Sequence, residues 1–275
     1  MNRDKILALD LDGTLLNSHK EISPRTLRAL LQMERSGATL VISSGRPPHG
    51  SRPFAEMLQL KDFAGYVIAF NGAQVVECAT GNMLFQSNLP HEVLPHLHRL
   101  SQRPSCTLMT YSDDVVLAED IENKCVQYAA NINRLTMRQT ENIPAALTSD
   151  VPKCIIAGEP SELDKVERET IGELSHSVTI TRSEPFFLEI MPMGIDKGAA
   201  LARLRDLPAL RSRQLIAFGD SYNDTTMLAL ADISVAMQNA RPEIRQMAHY
   251  TTASNDDDGI ATFLEQNCPD SFIEN

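Results

Sequence analysis

The sequence predicts an α/β fold, in which helices cover both faces of a parallel sheet and a second, α+β domain is inserted. The first observation is a set of short apolar runs, each ending at or leading into a polar residue and a glycine, at residues 6–12, 39–44, 66–71 and 215–218. Segments that are apolar throughout are typical of strands buried on both faces, as in parallel sheets. The second observation is that helical patterns separate these runs, which is the order of βα units.

The predicted helices of the parallel part have clear ends. In segment 22–36, Ser23 is the expected N-cap, Pro24 takes the first helical position and Gly37 stops the helix. Further helices are predicted after Asp196 and near Asn223. We expect these helices to pack on the sheet and to begin beside the ends of its strands.

The middle of the chain has a different sequence pattern, which predicts the inserted domain. Its strand patterns are short and grouped, at 74–78, 83–86, 106–111, 115–119, 153–157, 178–182 and 187–191. Helical patterns occur among them, at 92–100, 121–131 and 161–174. Such a mixture predicts a largely antiparallel α+β unit. We therefore expect a discontinuous core of residues 1–82 and 191–275, with an inserted domain of residues 83–190.

Charge and composition limit the partners. The formal net charge of −11 argues against nucleic acid or an anionic membrane surface as a partner. No apolar run approaches the length needed to span a bilayer, and Asp10 interrupts the N-terminal one before it reaches signal length. The five cysteines lack a CxxC pair and are odd in number, so we expect them to be reduced and the protein to be cytoplasmic.

Polar residues at the strand ends predict a metal site. Ligands of open α/β sheets bind beyond the carboxyl ends of the strands, where this sequence has Asp10, Asp12, Ser44, Asn71 and Asp220. Asp10 and Asp12 are two positions apart and would share a face of an extended chain. Three carboxylates without histidine or cysteine partners favour Mg²⁺. The alternative is that these are solvated loop carboxylates with no joint role. We also expect the acidic run 256–258 to be a solvated loop, although in the fold it could approach this edge of the sheet.

Residues that suit a phosphate group occur at the same strand ends. Glycines there would allow close approach to the backbone, at Gly13, Gly45, Gly72 and Gly219. Ser44 offers a hydroxyl, while Lys197 and Asn223 lie at predicted helix starts, which favour anions. For Lys197 alone, an ordinary surface lysine is the alternative.

Paired carboxylates at such a site can divide the chemistry of phosphoryl transfer. One can attack phosphorus and form an aspartyl-phosphate that water then hydrolyses. The other can protonate the leaving oxygen and later activate the water. The residue types alone do not decide which of Asp10 and Asp12 takes which part.

Several motifs resemble, in order, those of one enzyme superfamily. DLDGT at 10–14, Ser44-Gly45-Arg46, Lys197 and GDSYND at 219–224 are similar to the four motifs of the haloacid dehalogenase-like phosphatases. Further matches are FNGA at 70–73, FFLEIMPMGIDKG at 186–198 and DDGIA at 257–261. Together they resemble the Cof-type group, and they imply a Rossmann-like parallel-sheet core with a type IIB cap. The resemblance covers nearly the whole chain and is loosest in the cap.

The resemblance also implies roles for individual residues. It implies Asp10 as the nucleophile and Asp12 as the general acid/base. The implied metal ligands are Asp10, the backbone carbonyl of Asp12 and Asp220, with Ser221 and Asp224 nearby or acting through water. The implied phosphate contacts are the backbone N–H of Leu11, Ser44, Gly45, Lys197 and Asn223. Candidates for substrate contact are Arg46, Asn71 and Gly72.

The predicted function is a Mg²⁺-dependent phosphatase. Its expected partner is a small phosphorylated metabolite, with sugar phosphates first, and the cap would close over the site and select the substrate. One alternative is a phosphotransferase or phosphomutase on the same core, with a hydroxyl in place of water. The other is a non-enzymatic phospho-signalling module, but receiver domains carry the phosphorylated aspartate on a later strand, where this chain has serines. The sequence is silent on the oligomeric state.

Overall fold

The computed structural model describes residues 5–112 and 114–272, and the chain groups into two compact units. The first, which we name the core unit, consists of Met1–Ser44, Ser51–Leu84 and Asp196–Asn275. The second, the inserted unit, consists of Gly45–Gly50 and Phe85–Ile195.

Within the described residues the elements follow the predicted order. The strands are β1 (Lys5–Asp10), β2 (Thr39–Ser43), β3 (Tyr66–Ala69), β4 (Gln74–Glu77), β5 (Met83–Gln86), β6 (Thr107–Ser112), β7 (Val115–Ala118), β8 (Thr136–Gln139), β9 (Cys154–Ala157), β10 (Val178–Glu184), β11 (Phe187–Pro192), β12 (Gln214–Gly219), β13 (Ile233–Ala236) and β14 (Tyr250–Thr251). The helices are α1 (Pro24–Arg35), α2 (Pro48–Met57), α3 (Leu94–Ser101), α4 (Lys124–Asn133), α5 (Ile143–Ala146), α6 (Pro160–Leu174), α7 (Lys197–Arg205), α8 (Thr225–Leu230), α9 (Pro242–Met247) and α10 (Gly259–Asn267).

The core unit contains one sheet with the strand order β14-β13-β12-β1-β2-β3-β4-β5. Neighbouring strands from β14 to β3 are parallel, and only the pairing of β3 with β4 is antiparallel among those with a determined register. The predicted parallel-sheet core is therefore confirmed. Because β1 lies between β12 and β2, the carboxyl ends of these three strands lie side by side.

Local sequence explains where α1 begins and ends. The Ser23 side chain accepts a hydrogen bond from the Thr26 backbone N–H at 3.1 Å, and Pro24 is the first helical residue. This N-cap satisfies a backbone donor that the first turn leaves without a partner. Leu30 and Met33 are fully buried, and Gly37, with φ of 98°, follows the helix end. The helix thus occupies the predicted segment.

The inserted unit is an α+β unit with its own core. Its sheet has the order β10-β11-β9-β6-β7-β8, and all determined pairs are antiparallel except β7 with β8. One face of the sheet and helices α3 and α6 share an apolar cluster that includes Leu97, Leu108, Ile156, Val166 and Ile190. This arrangement agrees with the predicted largely antiparallel unit.

The unit boundaries differ from those expected from the sequence. The predicted hairpin of β4 and β5 is present, but β5 is the edge strand of the core sheet and the grouping divides it after Leu84. At the other end the inserted unit extends to Ile195. Segment 45–50 groups with the inserted unit, in which the Arg46 guanidinium donates to the Ile132 carbonyl at 2.8 Å. Such long-range contacts leave no mark on the local pattern from which the boundaries were predicted.

Two predicted strands of the core end two residues earlier in the structure. Strand β1 ends at Asp10, and β3 ends at Ala69 before a 3-10 turn, Phe70–Gly72. Asn71 in this turn has a φ of 54°, in the left-handed region that asparagine adopts more readily than most residues. None of the helices in residues 5–112 and 114–272 combines the length and apolar character that crossing a membrane requires.

A buried carboxyl group on α1 makes stability depend on pH. Glu34 is 3% exposed, and neither of its carboxylate oxygens has a hydrogen-bond partner among the described residues. Burial raises the pKa of Glu34 from 4.5 to about 8. The folded protein therefore binds more protons than the unfolded chain between these values, so stability is greatest below the lower pKa and falls as the pH rises through the higher one.

We expect Glu34→Gln to remove this dependence. The variant should be more stable than the parent by about 1–3 kcal/mol at about pH 9, because an unpaired buried charge is no longer formed. Urea unfolding followed by circular dichroism at acid and alkaline pH measures the difference. Glu56→Gln, which changes an exposed glutamate on α2, is the control. Parallel pH profiles for Glu34→Gln and the parent would contradict the assignment.

Candidate active site

The candidate site lies at the carboxyl end of the core sheet. Asp10 is the last residue of β1 and is 5% exposed, while Asp220 directly follows the neighbouring strand β12. A 3-10 turn, Tyr222–Asp224, then leads into α8. The parallel register brings Leu9 beside Phe218 and Asp10 beside Ser43, so residues far apart in sequence meet at this edge.

Three carboxylates meet at this edge. Asp10, Asp220 and Asp224 each offer an oxygen atom, and these atoms lie within 4.8 Å of one another. Asp224 is fully buried, and its Oδ2 accepts hydrogen bonds from the backbone N–H groups of Asp220 and Ser221 at 2.9 and 3.0 Å. The Ser221 side chain in turn accepts from the Asp224 backbone, which fixes the turn. The site therefore has a shape imposed by the backbone.

Lys197 is hydrogen-bonded to two of the three carboxylates of this cluster. It is 0% exposed, and its Nζ donates to Asp10 Oδ1 at 2.5 Å and to Asp224 Oδ1 at 2.6 Å. It is the first residue of α7, whose N-cap Asp196 accepts from the Ala199 N–H. Burial by itself lowers the pKa of Lys197, but attraction to the two carboxylates more than reverses this, and the pKa is raised overall. Lys197 is a buried cation, unlike the surface lysine that was the alternative reading.

One lysine does not balance three carboxylates. Burial raises the pKa of Asp10 well above its usual value, and repulsion from Asp224 raises it further, although Lys197 opposes both effects. Burial, followed by repulsion from Asp224, also raises the pKa of Asp220, to about 6. Burial and mutual repulsion therefore both oppose the ionisation of these carboxylates, and the one buried ammonium group of Lys197 faces three carboxyl groups. An all-oxygen donor set with excess negative charge fits a divalent cation, so the cluster is able to hold a metal.

The Asp12 side chain is not among the three carboxylates that meet in this cluster. Because β1 ends at Asp10, the strand alternation on which the shared-face expectation rested does not extend to Asp12. The Asp12 side chain is 33% exposed, and its Oδ1 accepts from Lys20 Nζ at 2.7 Å. The two aspartates thus have different surroundings, one buried against a lysine and the other in a half-exposed ion pair.

Residues beyond the predicted set hold the loop after β1. The Thr14 hydroxyl donates to Asp220 Oδ1 at 2.8 Å, and Asn239 Nδ2 donates to the Gly13 carbonyl at 2.7 Å. The Ser18 N–H donates to Asp256 Oδ1 at 2.7 Å, so part of the acidic run 256–258 anchors this loop and is not merely solvated. Thr14 could have been found from the DLDGT motif, whereas the contacts of Asn239 and Asp256 have no local sequence signal.

Gly13 meets a steric requirement of the site. Its φ is 86°, and a Cβ atom there would lie 2.6 Å from Asp220 Oδ2. A side chain would displace the carboxylate and strain the backbone. Gly72 has a similar role, because a Cβ atom there would lie 2.4 Å from the Asp196 carbonyl. Close packing against the residue before Lys197 therefore explains Gly72, and its contact with substrate stays a prediction.

The other predicted phosphate ligands form a connected group in the core unit. The Ser44 N–H donates to the Ile68 carbonyl at 2.9 Å, and the Ser44 carbonyl accepts from the Asn71 N–H at 2.9 Å. Asn223 Nδ2 donates to Asn71 Oδ1 at 3.1 Å. Leu11 is fully buried directly after Asp10. The phosphate roles of these residues and of Gly45, and substrate contact by Asn71, stay predictions.

Arg46, a candidate for substrate contact, belongs to the inserted unit. Its side chain is buried and donates a hydrogen bond to the backbone carbonyl of Ile132, near the end of α4. This hydrogen bond gives Arg46 a structural role in anchoring segment 45–50. Contact with substrate stays a prediction.

Comparison with known proteins identifies the family. The family model of haloacid dehalogenase-like hydrolases matches residues 7–264. The chain belongs to this family. A haloacid dehalogenase-like hydrolase from Bacteroides thetaiotaomicron, known from its crystal structure, is 36% identical, and the match covers 96% of this chain and 99% of that one with a TM-score of 0.88.

Named relatives of this family member are phosphatases. The 5-amino-6-(5-phospho-D-ribitylamino)uracil phosphatase YitU of Bacillus subtilis is 30% identical over 271 residues, covering 95% of this chain and 96% of the relative. The structure of the HAD subclass IIB sugar phosphatase BT4131 matches with a TM-score of 0.80, covering 95% of this chain and 98% of that one. At 23% identity, that match shows the fold alone. The sequence-based prediction of a Cof-type phosphatase is confirmed, and the protein is an enzyme of this class.

We expect removal of the Lys197 charge to destabilise the metal-free protein strongly. Lys197→Met leaves Asp10 and Asp224 without their shared cation, and breaking a buried ion pair in this way costs about 3–5 kcal/mol of the free energy of unfolding. Urea unfolding followed by circular dichroism, in chelator, measures this loss. Adding Asp224→Asn to Lys197→Met should recover part of it, because one buried charge is then removed.

Lys20→Met is the control for this experiment, since Lys20 is 44% exposed and also pairs with an aspartate. An exposed ion pair contributes less than about 1 kcal/mol. Equal losses for Lys197→Met and Lys20→Met would contradict the buried bridge described above.

Proposed function

We propose that the protein is a Mg²⁺-dependent phosphatase that hydrolyses phosphate monoesters of small metabolites through an aspartyl-phosphate on Asp10. The observation that supports this most strongly is the cluster of Asp10, Asp220 and Asp224 closed by the buried Lys197. Hard carboxylate oxygens with excess negative charge favour Mg²⁺, which typically bridges protein carboxylates and substrate phosphate.

Asp10 is the proposed nucleophile. Lys197 holds one of its carboxylate oxygens, which orients the carboxylate and leaves the other oxygen to attack phosphorus. The P–O bond to the leaving group breaks as the new bond to Asp10 forms, and water then attacks phosphorus and releases inorganic phosphate. Lys197, Ser44, Asn223 and the backbone N–H of Leu11 are the proposed phosphate contacts.

Asp12 is the proposed general acid and base. Its half-exposed position differs from that of buried Asp10, and different surroundings suit two carboxylates to two tasks. Asp12 protonates the leaving oxygen in the first step and takes a proton from the attacking water in the second. Asp10, the Asp12 carbonyl and Asp220, with Ser221 and Asp224 nearby or acting through water, would hold Mg²⁺, which would supply charge neutralisation for the transferring phosphoryl group.

The proposed substrates are sugar or polyol phosphates. The Bacillus subtilis relative is named for a phosphorylated ribityl compound, and the structural neighbour is named a sugar phosphatase. Both names describe a phosphate ester on a hydroxylated carbon chain. We also propose a cytoplasmic location, as expected from the sequence.

We expect turnover to require a divalent cation. A phosphate-release screen over sugar phosphates, sugar alcohol phosphates and nucleotides should show activity in Mg²⁺ that falls at least about a hundredfold in chelator. Asp220→Asn should require a higher Mg²⁺ concentration for half-maximal activity, because one ligand charge is lost. Undiminished turnover in chelator would refute the metal-dependent reaction, and no turnover of any compound in Mg²⁺ would refute the proposed substrate class.

The two aspartates should respond differently to a change of leaving group. Asp10→Asn should lose activity by about a thousandfold or more on every substrate, because the nucleophile is gone. Asp12→Asn should lose about 10²–10⁴-fold in kcat/KM, which reports the first step, on a sugar phosphate and much less on p-nitrophenyl phosphate, whose leaving group needs no proton. Its kcat should fall on both substrates, because the base that activates water in the second step is lost. Steady-state kinetics on both substrates tests this, with Asp62→Asn as an exposed control in the core unit. Equal losses of kcat/KM for Asp12→Asn on the two substrates would rule out its role as the acid.

A further inference from the structure

A buried ion pair in the inserted unit has no part in the chemistry described so far. Lys153 is 1% exposed and Glu189 is 4% exposed, and Lys153 Nζ lies 3.0 Å from Glu189 Oε1. Glu189 lies on β11 between Leu188 and Ile190, both of which belong to the apolar cluster packed on α3 and α6. Because side chains alternate along a strand, Glu189 faces the opposite side of the sheet from that cluster.

Stability alone does not account for such a pair. Taking both charges out of water costs several kcal/mol per ion, and apolar replacements of a buried pair are often as stable or more so. The Glu189 carboxylate also accepts from the Ser183 hydroxyl at 2.8 Å, and the Tyr111 ring centroid lies 5.9 Å from Lys153 Nζ. A buried polar network whose members are hydrogen-bonded makes the local structure rigid. The segments that this network joins therefore indicate what it makes rigid.

Lys153 also donates a hydrogen bond to a distant backbone segment. Lys153 Nζ donates to the Gly45 carbonyl at 2.7 Å, across 108 positions of sequence and within the inserted unit. Gly45 directly follows Ser44, the proposed phosphate ligand whose own N–H and carbonyl are bonded to Ile68 and Asn71. The buried ammonium therefore holds the first backbone carbonyl after Ser44.

We propose that Lys153, held in place by Glu189, is a positioning residue for the phosphate-binding segment at Ser44. Its hydrogen bond fixes the carbonyl of Gly45, the residue covalently joined to Ser44. Arg46 and His49 anchor the following residues, through the Ile132 carbonyl and through Asp114, but neither bond reaches Gly45. The role in phosphate binding rests on the proposed function, whereas the restraint on segment 45–50 does not.

Two variants separate positioning from simple structural support. Lys153→Met removes the donor but leaves Glu189 buried without its cation, so it should be destabilised. Lys153→Met combined with Glu189→Met removes both charges and should recover thermal stability, because no unpaired buried charge remains. In both variants the Gly45 carbonyl lacks its donor. Both should therefore show about tenfold faster amide hydrogen exchange in segment 45–50, and about tenfold weaker inhibition by inorganic phosphate in Mg²⁺.

Lys165→Met is the matched control, since Lys165 is an exposed lysine on α6 of the same unit that pairs with Glu162. It should leave exchange in segment 45–50 and inhibition by phosphate unchanged. If the doubly substituted protein is as stable as the parent and also protects segment 45–50 as the parent does, the positioning role is wrong. Wild-type exchange together with wild-type phosphate inhibition in the folded variants would likewise overturn it.

The two readouts also keep this proposal distinct from the proposed function. Hydrogen exchange needs no activity, so it tests the restraint on segment 45–50 even if no substrate is turned over. Faster exchange in both variants with unchanged inhibition by phosphate overturns the link from Lys153 to phosphate binding. A wild-type protein that neither turns over phosphate esters nor binds inorganic phosphate overturns the proposed function and that link together.

Discussion

The buried ammonium of Lys197, between Asp10 and Asp224, is the interaction on which the candidate site depends. Burying any of these charges alone would be costly, and each is tolerated because the others are present. Meeting the requirement takes three separate elements: the end of β1, the start of α7 and the turn before α8. The fold brings these three elements together in two ways. The strand order places β1 beside β12, and Gly72 allows the chain at Asp196 to approach closely.

The positive charge of Lys197 only partly compensates the negative charge of the three carboxylates. Lys197 donates to Asp10 and Asp224, whereas Asp220 Oδ1 accepts from the uncharged hydroxyl of Thr14. The resulting excess of negative charge is unfavourable for the protein alone and favourable for a bound divalent cation. The same feature that costs stability thus supports the proposed reaction, which is how buried charge at active sites commonly arises.

The sequence predicted the site better than it predicted the connections around it. Asp10, Asp220 and Lys197 could be placed because strand ends, glycines and helix starts have local signals, and parallel strands bring their ends to one edge. The Asp12–Lys20 pair, the membership of β5 in the core sheet and the grouping of segment 45–50 with the inserted unit were missed. Each of these features depends on the direction of a side chain or on contacts between residues far apart in sequence, as does the hydrogen bond from Lys153 to Gly45. The hydrophobic periodicity of a single sequence carries no information about such contacts.

Trapping the covalent intermediate tests the central claim, that Asp10 attacks phosphorus, most directly. Asp12→Asn protein would be mixed with acetyl phosphate in Mg²⁺, quenched in acid within milliseconds, digested and analysed by fragment mass spectrometry. Without the base that activates water, the intermediate should accumulate. The account predicts one added phosphoryl group located on Asp10. A phosphoryl group on another residue, or turnover with no phosphorylated protein at any quench time, would contradict it.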